Sequence, residues 1–490
     1  MLARRYCVKA HRAVKAVKDP QADGDGMPVA RVPNARLAAV IAESGLSHAQ
    51  LAAAVARVAS ENGAGEFAAI GRSHVSHWVG GTNPSGSAPL LVCEALGRRL
   101  GRVVTVEEVG FKLQVGASRD ELGWHVDTLI ALTDLGRIDT DMERRHVLGA
   151  AAYSVAALSL PGAAWWQQMS QRSTARGANG SRLVGRGDLD AVRDMVAMFS
   201  RVDQRRGGGH ARTAVVQYLT SDVAGYLCGK FSSDQLRRDM FSAASELSCL
   251  SGWMAFDNAE HSIAQNYFTL AVKLAAEADD APMTGHVLRA MAHQANDLGH
   301  RRQALSLAST SIEGDRYRLA SSRERALLGV VHARTLASNG QSAEAAAALL
   351  RAENDLAAAS LGDDEPPRVF FFGEASLAHE TACAIRDTGD FSGAAQEFRR
   401  SVRTRKASAF TRTHAVTLGY LGSVQARQGN VEEACTTWSA ALDSMDGIRS
   451  ARTRQTAVDM RSSLSPFRQR GLRSVAELDA RAAAYLALST

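Results

Sequence analysis

The sequence predicts an all-α protein, a small helical domain followed by a long helical-repeat superhelix. Three observations carry this expectation. From Asp120 onward, apolar residues recur at three- and four-residue spacing almost without a break, as in helices that bury one face. Proline, which interrupts helices, occurs only 10 times in 490 residues. A Gly-x4-Ala pattern returns at Gly299/Ala304, Gly340/Ala345, Gly389/Ala394 and Gly429/Ala434, with Ala259/Ala264 as an earlier cousin. The intervals of 40, 41, 49 and 40 residues each hold one helical hairpin.

Residues 1–33 are basic, then contain Gly and Pro, and read as a mobile arm, with Met27 as a second candidate start. Residues 34–112 form the small domain. A helix from about Asn34 to Glu43 puts Leu37, Val40 and Ile41 on one face, and Gly45 breaks it. Ser47 caps the next helix, with Gln50 completing a capping box, and Leu51, Ala52 and Val55 turn inward. About a dozen residues, Arg57 to Ala68, then intervene as extra helix or as a protruding loop. Arg72 to Val79 is a short helix with Val75 and Trp78 inward, ended by Gly80 and Gly81. Leu90 to Leu100 is a fourth helix, and Thr105 caps a last turn closed by Gly110.

Residues 120–235 read as a helical connecting region: two helices in 120–160, a loop over 171–187, then helices at about 188–205 and 211–229 around Gly207-Gly208-Gly209. Residues 236–449 hold the repeats, which follow the logic of a tetratricopeptide-like array. One pair cannot bury its own apolar face, so neighbours stack. The small Gly and Ala at each turn are expected to let antiparallel helices approach closely. Trp253, Phe256, Tyr267 and Phe268 are spaced as packing residues, and residues 450–490 read as capping helices around Pro466.

Charge and cysteine usage narrow the function. Residues 1–112 hold 14 Lys+Arg against 9 Asp+Glu, and the remainder 43 against 42. The positive excess sits in the stretch that holds the small domain, as a DNA partner requires, although Arg4, Arg5, Lys9, Arg12, Lys15 and Lys18 account for much of it and fit a solvated basic tail equally well. No apolar run approaches the roughly 18–20 residues of a membrane span, and no signal peptide is evident. Cys7, Cys93, Cys228, Cys249, Cys383 and Cys435 show no paired spacing and read as reduced thiols of a cytoplasmic protein. No catalytic set, metal or cofactor is expected. His379-Glu380 with Cys383 lacks the second His of a zincin, His74 and His77 have no companion ligands, and the Arg205–Gly209 stretch lacks a P-loop lysine.

The segment G-L-S-H-A-Q-L-A-A-A-V followed by R-S-H-V-S-H-W-V-G-G resembles the Cro/C1-type helix-turn-helix, with Gly71–Gly81 as recognition helix and exit. Adding Trp78-x-x-Gly81-x-Asn83-Pro84, Asp203-x-x-x-Gly207-Gly-Gly-His-Ala-Arg212 and Gly252-Trp-Met-Ala-Phe-Asp257, the chain resembles actinomycete regulators that join such a domain to tetratricopeptide-like repeats, among them negative regulators of sporulation and antibiotic production. The resemblance implies binding of double-stranded DNA and gene control, with repression as the expected sense. The alternative is a protein-interaction scaffold without specific DNA binding.

Arg72, Ser73, His74, Ser76 and His77, polar residues beside the inward Val75 and Trp78, are the expected DNA contacts, with His48 and Gln50 on the preceding helix touching phosphate. A homodimer is expected, since one helix-turn-helix reads only a few base pairs. Polar residues on the first helix of each pair, Arg289, His293, Asn296, His332, Arg334, His379 and Arg386, form a candidate groove for a peptide or small-molecule effector.

Overall fold

The computed structural model describes residues 32–61, 65–67, 69–112, 123–140, 153–176, 182–359, 365–470 and 472–488. The arm up to residue 31, part of the 57–68 insertion and the second helix expected within 120–160 lie outside the described residues. Within them the chain is all-α and built from helical repeats; the two short strands have two residues each.

Four helices build the head. Helix α1 (Ala35–Ser44) starts on the Asn34 side chain, which accepts from the Leu37 N–H at 3.0 Å, and stops at Gly45 with φ +65°. Helix α2 (His48–Glu61) starts on a reciprocal cap: Gln50 N–H donates to Ser47 Oγ at 3.3 Å, and Ser47 N–H to Gln50 Oε1 at 2.9 Å. The first five residues of the insertion, Arg57–Glu61, extend this helix. Val58 and Ala59 continue its buried stripe, and a 3-10 turn at Gly65–Phe67 follows. Helix α3 (Arg72–Val79) buries Val75 and Trp78. Helix α4 (Ala88–Leu100) runs through the middle of the head, and Val104, Val106, Val109 and Phe111 close its core.

The body begins with α5 (Thr128–Thr140) and α6 (Ala163–Arg176). Here the structure corrects the loop expected over 171–187. Buried Trp165 and Met169, four apart, anchor a helix that extends to Arg176. Leu183–Val184 then pairs in parallel with Lys230–Phe231. Local Arg, Gly and Ser content suggested a loop, and tertiary packing overrode it. Helices α7 (Arg186–Arg206) and α8 (Gly208–Tyr218) meet at the glycine turn.

Paired helices follow: α9 (Asp234–Asp257) with α10 (His261–Glu277), α11 (Ala281–Asp297) with α12 (Arg301–Ser311), and α13 (Ser322–Ser338) with α14 (Ser342–Ala357). Then come α15 (Glu374–Asp387) with α16 (Phe391–Thr404), α17 (Thr411–Arg427) with α18 (Val431–Ser444), and α19 (Ala451–Leu464) with α20 (Arg473–Leu488). One apolar core runs unbroken from Ala131 to Leu377, across residue 236. The later pairs carry smaller cores of their own.

The Gly-x4-Ala pattern marks the hairpin turns, with its two residues doing different work. Gly299, Gly340, Gly389 and Gly429 sit at φ between +80° and +95°. A Cβ on any of them would meet nothing within 4 Å. Glycine is there for backbone conformation, not for close helix approach as its size suggested. The 6→1 bond of a Schellman turn accompanies it, as from His300 N–H to the Ala295 carbonyl at 2.9 Å and from Gln341 N–H to Leu336 at 3.0 Å. Close approach is the alanines' part: Ala304, Ala345, Ala394 and Ala434 are all buried.

Candidate nucleic-acid interface and repeat cavity

On α3, Arg72, Ser73, His74, Ser76 and His77 are exposed with the whole body in place, while Val75 is 0 % and Trp78 7 % exposed. Arg72 makes no hydrogen bond or ion pair among the described residues. Two of the expected contacts are partly used inside the head. The His74 ring accepts the Gly71 N–H at 3.1 Å and so caps its own helix. Gln50 Oε1 is held by the Ser47 cap, leaving only its amide NH2 to offer. His48 is half-buried, and its Nδ1 meets Ser76 Oγ at 3.1 Å, tying α2 to α3.

Two features around α3 were not readable in advance. The chain enters the described region across the end of this helix. Asn34 N–H donates to the Val79 carbonyl at 2.8 Å, and a Cβ at Gly81 would fall 2.1 Å from the Val32 carbonyl oxygen. The basic residues before Val32 are therefore attached at the edge of the exposed helix. Asn83 locks the following loop through two bonds with the Lys112 backbone, both 2.8 Å.

The folded head is nearly neutral, with seven Lys+Arg against six Asp+Glu in residues 34–112, and two of its arginines are tied up. Arg98 is held by Glu61 and Glu94, and Arg102 by Glu43 and Glu108. Glu94 is also the joint to the body. Its carboxylate meets His300 Nε2 at 2.7 Å, and Tyr153 stacks on that imidazole with ring centres 5.6 Å apart. Burial pushes the Glu94 carboxyl up, but His300 and Arg98 outweigh it and hold it below its ordinary value. His300 occupies the turn between α11 and α12, so the repeats position the head directly.

The repeats enclose a cavity of about 990 Å³. Its walls are the first helix of each pair, and α7 crosses it as a cover. The array curls back until its far end meets that cover. Arg412 on α17 reaches Asp203 on α7 at 2.9 Å and Asp257 on α9 at 2.7 Å. Arg449 N–H donates to the Arg206 carbonyl at 2.8 Å, and Gly209 N–H to the Arg449 carbonyl at 3.0 Å. The triple-glycine turn is thus a packing device. A Cβ at Gly207 would lie 2.4 Å from the Arg449 carbonyl oxygen, and one at Gly208 equally close to that of Met254. Asp203 and Asp257, which stood in separate sequence marks, share one arginine here.

Of the candidate groove residues, Arg289, His293 and His379 line this cavity. The other four are engaged elsewhere. Arg334 is paired with Asp297 at 2.7 Å and Glu380 at 3.1 Å, and Arg386 with Asp387 at 2.9 Å. Asn296 accepts from the Ser338 hydroxyl at 2.6 Å, and His332 contacts Ser309 at 3.3 Å. Trp253 packs against the core, as its spacing suggested, but is only half-buried and also lines the cavity, whereas Tyr267 and Phe268 are fully buried. Arg405 and Arg412 carried no signal in the sequence, since only superhelix closure brings them to this wall.

Burial governs the cavity's titratable groups. It pushes His286 down to about 4 and His379 to about 3. It raises Asp203 to about 6, and the neighbouring Asp257 adds to the rise against the pull of Arg412. His379 Nδ1 contacts Thr417 Oγ1 at 2.9 Å, which gives this residue a packing partner across α15 and α17. Among the described residues no cluster of three His, Cys, Asp or Glu is arranged to hold a metal ion. No described helix is long and apolar enough to cross a membrane.

The family model for the SP15 N-terminal domain matches residues 37–112, the span of the head. No curated protein matches the chain.

Proposed function

We propose that this protein is a sequence-specific DNA-binding transcriptional regulator, a repressor in its expected sense, with α3 as its reading helix. In this reading the head is a Cro/C1-type helix-turn-helix. The body is a tetratricopeptide-like array that holds two copies together and senses a peptide or small-molecule effector. The carrying observation is α3 itself: two buried apolar residues hold it, and its outer face, with an unpaired Arg72, stays exposed beside the whole body. A helix of eight residues spans about 12 Å, a length the major groove accepts. Residues 1–31 hold seven Lys+Arg against three Asp+Glu and join the described chain at Val32, beside this helix, which suits contact with the phosphate backbone. The joint through Glu94 and His300 gives the repeats a route to the head.

The test is quantitative binding of full-length protein to genomic fragments, its own upstream region included, at several salt concentrations. One set of fragments should bind far more tightly than the rest. Arg72→Ala should weaken that binding by about 1–3 kcal/mol if the arginine reads a base. Uniform, weak binding to all fragments would refute the reading and favour the scaffold. A monomeric mass at micromolar concentration, with and without DNA, would remove the dimer.

A further inference from the structure

Arginines on the cavity wall are mostly neutralised. Arg368 grips Glu324 through two bonds of 2.7 and 3.0 Å, and Arg412 is shared by Asp203 and Asp257. Arg289 and Arg405 are different. They are 5 % and 8 % exposed, and neither has a carboxylate within ion-pair distance among the described residues. Arg289 touches only the His286 ring at 3.2 Å and lies over the Trp253 ring at 5.6 Å. Arg405 is held by neutral oxygens, the Ala375 carbonyl at 2.9 Å and the Ser401 hydroxyl at 3.1 Å. The Nε atoms of both guanidinium groups are buried without a hydrogen-bond partner. Glu380, the acid whose charge acts on both, is already taken by Arg334. Among the described lining residues nine arginines stand against seven carboxylates, so the wall is net positive.

A buried cation without a counter-charge is costly, and burial lowers the affinity of both groups for their protons, Arg405 to about 10. A carboxylate entering the cavity would supply the missing counter-charge. The rest of the wall sets the remainder of the ligand. Trp253, Leu250, Met283, Val331, Phe370 and Phe371 offer apolar and aromatic surface. The volume exceeds what a bare anion needs and falls in the range of small-molecule sites.

We propose that this cavity binds an organic carboxylate with an apolar body, its carboxylate held by Arg289 and its body by the neighbouring Trp253 and by Phe370, with the uncompensated charge of Arg405 adding to the attraction. The inference deepens the effector part of the function proposed above by naming the ligand chemistry. Its assay contains no DNA, so its failure is distinct from failure of the DNA reading. The probe is 3-phenylpropionate, titrated calorimetrically into the full chain beside its uncharged analogue 3-phenylpropanol. The acid should bind at one site and at least tenfold more tightly than the alcohol. Arg289→Met should weaken it tenfold or more and Arg405→Met by less, while Arg399→Met, on the outer surface, should not weaken it. N-acetyl-alanyl-phenylalanine and its amide separate the two sources of a carboxylate. Tighter binding of this acid than of phenylpropionate assigns the site to a peptide terminus, and the reverse order to a free acid. Equal binding of phenylpropanol, or no binding of either acid, overturns the proposal. The comparison of acid with alcohol uses wild-type protein, so it stands even if an arginine variant fails to fold.

Discussion

Gly207→Ala should loosen the closed array, and the size of the effect follows from its surroundings. The residue sits at φ +84° and ψ +164°, a region open essentially to glycine, where another residue costs about 1–3 kcal/mol. The new methyl would stand 2.4 Å from the Arg449 carbonyl oxygen, a backbone atom that moves only if its segment does. Moving it breaks the Arg449–Arg206 and Gly209–Arg449 backbone bonds, each worth about 0.5–1.5 kcal/mol net. The expected loss is about 2–6 kcal/mol. Gly429→Ala is the control. It has a similar φ of +88° but open space around its Cβ, so only the left-handed penalty of about 1–2 kcal/mol remains. Urea unfolding of both variants beside wild type, followed by far-ultraviolet circular dichroism, reads the difference. If Gly207→Ala unfolds no more easily than Gly429→Ala, closure through residues 449–450 does not support the body and the reasoning fails.

Three further outcomes are expected. Trp78→Ala should unfold the head while leaving the repeats folded, because removing a core aromatic costs about 3–5 kcal/mol; retained amide protection in residues 34–112 would contradict this. Arg412→Leu strands two buried carboxylates, Asp203 and Asp257, and should cost about 3–5 kcal/mol at pH 8. Adding Asp203→Asn, or lowering the pH to 5.5, should recover part of that loss, and equal destabilisation at both pH values would exclude the triad. Acid should weaken the body: burial pushes His261, His286 and His379 down to about 3, 4 and 3, against about 6.5 when unfolded. The unfolded chain therefore binds more protons between about pH 6.5 and 4, so stability present above pH 6.5 is lost as the pH falls. Asp203, raised to about 6, acts oppositely in that window, as do Glu246 and Asp459, which burial also raises; against these three stand five histidines, since burial lowers His332 and His414 as well. A urea midpoint at pH 4.5 equal to that at pH 7.5 would refute this balance.

What rests on local chemistry was legible in the chain alone. Helix spacing, the Ser47–Gln50 cap and the Gly-x4-Ala turns depend on residues a few positions apart, so they were readable without a fold. The inward pair Val75 and Trp78 was readable for the same reason, and with it the outer face of α3. Only the tertiary structure decided how the array closes, because closure joins residues about two hundred positions apart. Arg412 meets Asp203 and Asp257, and Gly207 meets Arg449, through contacts that leave no periodic trace in the chain. The same closure selected three of the seven candidate groove residues for the cavity and spent the other four on ion pairs and hydrogen bonds. It also turned Arg405, Arg412 and Trp253 toward one space. Burial then set their charge state: a buried charge is governed by its partners, and those partners are fixed only once the chain has folded.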